Sequence, residues 1–336
     1  MTDRSVTDPA AGDLEFRLLG GPRRWRRREV AKTVGVSLLS ARKLWRALGF
    51  ANVSDEDIAF TDADAQALGL VVGLVRDGIF DEETAIAFAR ALGQTTDRLV
   101  SWQTEALLEH LDEFVGPDGA NLAVGKVADL VDSMEQLLVY TWRRRLAATV
   151  GRLGAGGPAA EASSSELTVG FADLVSYTRL AQRLEPRELS VLVRRFEGLA
   201  SDVVTAGGGR VVKTIGDEVL FTTDDPGAGA RIALSLSEQM AVDPVVPDVR
   251  VGLAHGPVLR SLGDVYGPTV NLASRLTALA QPGTVVTDPT TASLLGRDET
   301  LVLVPQRRRV VRGVGSMQPL LVARSGSAAD GLLDVD

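Results

Sequence analysis

Four segments in the second half of the chain carry residues whose types and spacing suit phosphate chemistry. In the first, residues 170–178, an apolar run ends at Asp173 before a Ser/Thr-containing stretch that opens the next helix. A carboxylate at a strand end is placed to hold a metal, and equally to cap the helix that follows. The second, residues 209–221, reads as two β runs joined by Gly216-Asp217, a tight-hairpin signal that sets Asp217 at the tip. Strict alternation along its first strand projects Lys213 away from Val212 and Thr214. A lysine inside such an apolar strand marks either a sheet edge or a polar task.

The third segment, residues 263–276, contains Asp264 and places Asn271 and Arg275 four apart on a helix beginning near Pro268, with Leu272 and Leu276 on the adjoining buried side. An amide and a guanidinium one turn apart form a donor array suited to polyphosphate oxygens, and a solvated helix face is the plain alternative. The fourth, residues 307–315, is a cationic strand with Arg307, Arg308, Arg309 and Arg312 that ends in Gly313 and Gly315. Solvation alone accounts for most of these arginines.

Composition narrows the chemistry. The 336 residues contain no cysteine and only two histidines, so disulfides, thiolate zinc sites and haem attachment are excluded. A metal must then be a hard cation held by carboxylates and substrate oxygens, magnesium or manganese rather than zinc or iron. With 36 Lys and Arg against 44 Asp and Glu the net charge is −8, which argues against a protein dominated by binding to a phosphate backbone. No apolar run approaches the roughly 20 residues of a membrane span, and the N-terminus has no apolar signal region. A cytoplasmic protein is expected.

These residues need a scaffold. The flexible, small-residue stretch after Val150 separates two regions. Upstream, apolar residues recur at helical spacing, and an all-α domain is expected over residues 17–150. Downstream, β-branched runs at 167–171, 210–214, 219–223, 249–254 and 284–287 alternate with helical stretches at 186–206, 227–240 and 269–280. That order predicts an α+β sandwich with helices on one sheet face. The expected divisions are a disordered 1–16, the helical 17–150, a linker at 151–165, the α+β domain at 166–324 and a disordered tail at 325–336.

Taken together and in this order, Phe171-Ala172-Asp173, Lys213-Thr214-Ile215-Gly216-Asp217 and Tyr266-Gly267-Pro268-Thr269-Val270-Asn271-Leu272-Ala273-Ser274-Arg275 resemble the class III nucleotidyl cyclases over roughly residues 165–324. The resemblance implies the ferredoxin-like cyclase fold, with an antiparallel-rich sheet and helices. It implies an adenylate cyclase that turns ATP into cyclic AMP and pyrophosphate with two Mg2+ or Mn2+ per active site. Asp173 and Asp217 would hold both metals, with the Leu174 carbonyl as a further ligand. Lys213 and Asp264 match the purine readers and favour ATP over GTP, with a guanylate cyclase as the alternative. Asn271 and Arg275 match the pair that orients the ribose and stabilises the transition state. Arg312 stands where the family usually has a phosphate-binding lysine. In this family the sites form between two catalytic domains, so a chain with all of these residues implies a homodimer. No protein base is evident, which points to a metal-assisted or substrate-assisted proton transfer.

Residues 28–37 and 41–50 read as two helices about a glycine turn and look like a helix-turn-helix of the MerR kind, with Arg23, Arg24, Arg26 and Arg27 in front. A DNA-binding regulator with a nucleotide-sensing domain is therefore a second hypothesis, which the acidic chain disfavours. The stretch at 55–64 resembles the regulatory domain of actinobacterial soluble adenylate cyclases, and in those relatives activity responds to pH. A helix over 124–150 would transmit the state of that domain through Val127, Leu130, Val131, Met134, Leu137, Leu138 and Leu146. His110 is a candidate proton sensor, and His255, on a core strand, reads as structural. The apolar helices between residues 84 and 111 also suit an enclosed fatty acid.

Overall fold

The computed structural model describes residues 9–50, 54–115, 120–155, 164–261 and 263–326. The chain divides into two compact units, residues 1–157 and 158–336. Among the described residues no helix is long and apolar enough to cross a membrane.

The first unit comprises α1 (Pro9–Leu18), β1 (Trp25–Arg26), α2 (Arg27–Val34), α3 (Leu38–Ala47), β2 (Ile58–Phe60), α4 (Asp62–Arg76), α5 (Glu82–Val115) and α6 (Ala120–Ala155). Local chemistry sets the breaks. Gly35 ends α2 in a left-handed conformation, Ser37 caps α3 by accepting from the Ser40 amide, and Thr61 with Asp64 forms a capping box on α4. The core gathers Val30, Ala31, Ala41, Leu44, Trp45, Phe60 and Leu68, with the Trp45 and Phe60 rings stacked at 4.5 Å. The unit is helical as expected, with one short antiparallel ribbon of β1 and β2 that carries the chain into α2 and α4. The first helix, α1, occupies 9–18.

The second unit contains β3 (Ser164–Leu174), α7 (Tyr177–Ala181), α8 (Pro186–Ala206), β4 (Arg210–Ile215), β5 (Glu218–Thr223), α9 (Pro226–Val242), β6 (Val249–Ser261), β7 (Asp264–Tyr266), α10 (Pro268–Leu279), β8 (Val285–Thr287), α11 (Pro289–Leu295), β9 (Leu301–Pro305), β10 (Arg309–Val311), β11 (Gly315–Met317) and β12 (Leu320–Arg324). Eight strands form one sheet in the order β4-β5-β3-β6-β8-β12-β9, with β7 paired to β6. The β6–β8 pair is parallel and the others are antiparallel. This is the expected α+β architecture. The segment expected as a linker at 151–165 is shorter at both ends, because α6 runs through Gly151 to Ala155 and β3 begins at Ser164. The tail beyond Gly326 lies outside the described residues.

Helices cover both sheet faces, where one was expected. Ala172 and Leu174 of β3 pack with Leu192, Phe196 and Ala200 of α8 and with Ile232 and Leu236 of α9. Leu167, Val169 and Phe171 point the other way and pack with Ala273 and Leu276 of α10. A strand apolar at both odd and even positions must be buried on both sides, and β3 has that pattern. Gly252 of β6 lets α10 lie directly on the sheet. A Cβ there would stand 2.2 Å from the Thr277 amide nitrogen and 2.4 Å from the Ala273 carbonyl oxygen.

Candidate functional site

The sheet topology brings the singled-out residues into three groups. In the first, β3 runs between β5 and β6, and Asp173 stands opposite Glu218 on one side and Arg250 on the other. Arg250 Nη2 donates to Asp173 Oδ2 at 2.5 Å. The Gly216-Asp217 turn joins β4 to β5, with Gly216 at φ 65, as a two-residue hairpin of this hand requires. The Leu174 amide donates to the Asp217 carbonyl at 3.0 Å and locks the two carboxylate-bearing segments together. Two residues further on, Ser176 has φ 62, the one positive value among the described non-glycine residues. Strain of this kind is found where a turn is over-determined by its surroundings, here at the exit from Asp173 into α7.

Three carboxylates therefore share one half-buried corner. Burial raises the Asp173 carboxyl above its ordinary pKa despite the neighbouring Arg250 guanidinium, and the Asp217 charge adds to the rise. Burial, with the charges of Asp173 and Asp217, pushes Glu218 up to about 7. One guanidinium does not neutralise this corner, and a hard cation would. Among the described residues no three carboxylate or imidazole groups form a ready-made cage. A pair of aspartates leaving the other positions to phosphate and water oxygens is the usual way to hold magnesium, so the donor set fits that ion or manganese. Arg250 also has its Nε buried without a partner, a donor unused in this state.

The second group is Lys213 with Asp264, whose Nζ and Oδ2 lie 2.5 Å apart. Strict alternation does not deliver Lys213 there. The β4–β5 register shifts between Val211 and Lys213, leaving Val212 as the extra residue of a β-bulge. Lys213 then stands opposite Leu220 on the same side as Val212, not opposed to it, and faces β7. Asp264 also accepts from the Val265 amide at 2.8 Å. These bonds hold its carboxyl below the ordinary range against the opposing effect of burial.

The third group lies between α10 and the β10–β11 hairpin. Gly267 and Pro268 open α10, and Asn271 and Arg275 rise from it one turn apart, Asn271 exposed and Arg275 half-buried. The hairpin turns at 312–314, closed by the Val314 amide on the Val311 carbonyl at 3.0 Å, with Gly313 at φ 69. A Cβ on Gly313 would sit 3.0 Å from Arg275 Nη1, so the bare glycine backbone forms the seat of that guanidinium. On the role that the cyclase resemblance implies for Arg275, Gly313→Ala is expected to lower kcat about 10- to 100-fold while KM for nucleotide changes less than about threefold, in steady-state kinetics. An equal rise in KM would show that the seat serves binding rather than the reacting geometry.

No hydrogen bond or ion pair among the described residues joins one group to another. Arg250 and Glu218 are the residues that the sequence analysis missed. A charged residue flanked by Val249 and Val251, both fully buried, was the available signal for Arg250. His255 is held by Thr168 Oγ1 at 2.9 Å from Nδ1, and its amide donates to Thr291 Oγ1, in keeping with a structural residue. The side chain of His110 lies outside the described residues.

Comparison with known proteins adds the family. Residues 160–323 match the adenylate and guanylate cyclase catalytic domain. An adenylate cyclase of Glutamicibacter nicotianae is 47% identical over 95% of this chain and 83% of its own length. An adenylate cyclase of Streptomyces coelicolor is 42% identical over 94% of this chain and 90% of its own. A pH-sensitive adenylate cyclase of Mycobacterium tuberculosis is 31% identical over 80% and 69%. With the motifs, the two-sided sheet and these full-length relatives in agreement, the chain belongs to the class III adenylate and guanylate cyclase family.

Proposed function

We propose that the protein is an adenylate cyclase that closes ATP into cyclic AMP at sites shared between two copies of the chain, under the control of its first unit. The observation that carries this reading is the pairing of Lys213 with Asp264 in a chain that also keeps Asp173, Asp217, Asn271 and Arg275. A carboxylate accepts from the 6-amino group of adenine while an ammonium donates to the adjacent ring nitrogen. Guanine presents a carbonyl and an N–H in those places and mismatches both.

In the reaction the ribose 3′-oxygen bonds to the α-phosphorus, the bond from that phosphorus to the bridging oxygen breaks, and pyrophosphate leaves with the electron pair. Asp173 and Asp217 would hold two magnesium or manganese ions, which when bound lower the pKa of the 3′-hydroxyl and neutralise the triphosphate. Asn271 orients the ribose. Arg275, seated on Gly313, supplies fixed positive charge where negative charge builds on the phosphorus oxygens. Arg312 is a donor for the remaining phosphate oxygens. No side chain stands out as the proton acceptor, so the hydroxyl proton passes to solvent or to a substrate phosphate.

The separation of the metal carboxylates from Arg275 into different groups supports a homodimer in which each copy completes the other. On α6, Leu137, Leu138, Tyr140, Trp142 and Leu146 are exposed, an apolar surface consistent with self-association in the first unit too. Regulation by pH is supported by the M. tuberculosis relative named for that property. DNA binding finds little support. Arg23, Arg24, Arg27 and Arg28 pair with Glu15, Asp62, Asp55 and Glu56, and Arg42 shares Asp55, so the helix-turn-helix offers no row of free guanidinia. A fatty acid enclosed by residues 84–111 is likewise set aside. Among the described residues, α5 lends Glu82 and Ala85 to the groove of about 210 Å3 that opens between Val36, Leu44, Val72 and Val75.

One assay tests the proposal. Purified full-length protein and a chain starting at Ser163 are given ATP with magnesium or manganese from about pH 5.5 to 8, the range in which a histidine titrates. Cyclic AMP is expected from both, with a pH profile that differs between them by at least about fivefold at one end. Identical profiles would reject control by the first unit, and no product from either would reject the cyclase.

A further inference from the structure

The β10–β11 hairpin stands apart from the main sheet as its own two-stranded ribbon. Between Glu299 and Asp330 the sequence contains no acidic residue, while Arg307, Arg308, Arg309 and Arg312 crowd into the hairpin and its approach. All four are exposed, and none has a side-chain hydrogen bond or ion pair among the described residues. Several guanidinia elsewhere in this unit are matched, Arg195 with Asp243 at 2.7 Å, Arg231 with Asp298 at 2.8 Å, Arg250 with Asp173 at 2.5 Å and Arg324 with Glu238 at 2.6 Å, whereas the hairpin crowds its four together without a counter-charge. Four unmatched like charges within six residues repel one another, and a chain of net charge −8 had acidic residues with which to pair them. Their cost is offset when an anion arrives.

We propose that Arg307, Arg308 and Arg309 form an electrostatic entrance that gathers the nucleoside triphosphate and passes it to Arg312 and Arg275 at the tip of the hairpin. The inference rests on the nucleotide reading above and extends it to three residues outside the reacting centre. Continuity carries it: Arg312 precedes Gly313, and Gly313 is the surface on which the Arg275 guanidinium rests. A polyanion bound loosely along the approach is therefore one hairpin length from the group that stabilises the transition state. The field also answers a general problem, because a protein of net charge −8 repels its own substrate at low salt unless a local patch reverses the sign. An anionic membrane is the competing partner, since Val310 is 83% exposed between the arginines. The hairpin has no aromatic anchor, and its exposed aliphatics are two small valines, Val310 and Val314, which favours the soluble anion.

The test replaces Arg307, Arg308 and Arg309 together by Gln, and separately by Glu, in the full-length protein, leaving Arg312 and Arg275 intact. With ATP at about 20 mM ionic strength, kcat/KM is expected to fall roughly tenfold for the Gln variant and roughly a hundredfold for the Glu variant. By about 300 mM salt the three curves converge, and kcat stays within about twofold throughout. Unchanged kcat/KM with the wild-type salt slope would overturn the proposal, as would a fall in kcat alone. Flotation of wild-type protein, but not of the Gln variant, with phosphatidylserine vesicles, with nucleotide kinetics unaltered, would assign the patch to membranes instead. Should neither variant fold, the wild type decides: its kcat/KM must drop several-fold between those salt concentrations, and a flat profile refutes the entrance. Affinity for α,β-methylene-ATP is measured alongside. Salt-dependent and arginine-dependent binding without cyclic AMP would sink the cyclase reading and leave the entrance standing.

Discussion

Chains carrying Asp173→Ala or Arg275→Ala are each expected to lose cyclase activity by about a thousandfold or more, yet an equimolar mixture should recover about a quarter of the wild-type rate. On the proposed roles, each substitution removes a group acting on charge at the reacting phosphorus, so neither homodimer would have an intact site. In the proposed shared site, a mixed dimer would place the intact Asp173 of one copy beside the intact Arg275 of the other. Random exchange makes about half of the dimers mixed, each with one good site of two, which sets the expected fraction. A chain with both substitutions cannot complete either partner and serves as the control. Mixed dimers demonstrated by differential tags, with no recovered activity, would show that the two groups serve the same copy.

The second large effect concerns the base. Lys213→Ala is expected to cut kcat/KM for ATP about 100-fold and to reduce the preference for ATP over GTP by a similar factor, read by competing both nucleotides in one reaction. Removing the lysine does more than delete a donor. Asp264, which accepts from Lys213 at 2.5 Å and from the Val265 amide, loses the cation that holds its carboxyl low. A group left partly buried without its partner penalises the substrate it formerly matched. A variant with lower activity and an unchanged nucleotide ratio would move base recognition away from this pair.

The two predictions use the scaffold differently. The complementation experiment depends on quaternary arrangement and tolerates small shifts within either copy. The proposed base selection depends on one bulge, because Val212 as the extra residue turns Lys213 to the side on which Asp264 stands. Propensity does not announce such a bulge, for Val211, Val212 and Lys213 read as an ordinary alternating strand.

What residue types and spacing determined by themselves was the chemistry and the kind of scaffold. The absence of cysteine left hard cations as the available metals. The Gly216-Asp217 signal placed a carboxylate at a hairpin tip, and the helix from Pro268 stacked Asn271 over Arg275, because turns and helices are governed by contacts within a few residues. The α+β order was legible for the same reason. Only the tertiary structure decided what crosses strands. Arg250 reaches Asp173 from 77 positions away, Glu218 joins the same corner through register, and α10 lies on the second sheet face because Gly252 admits it. Gly313 becomes the seat of Arg275 by the same kind of long-range meeting. Pairing register and close approach are set by the packing of distant segments, and that information is written in no single stretch of the chain.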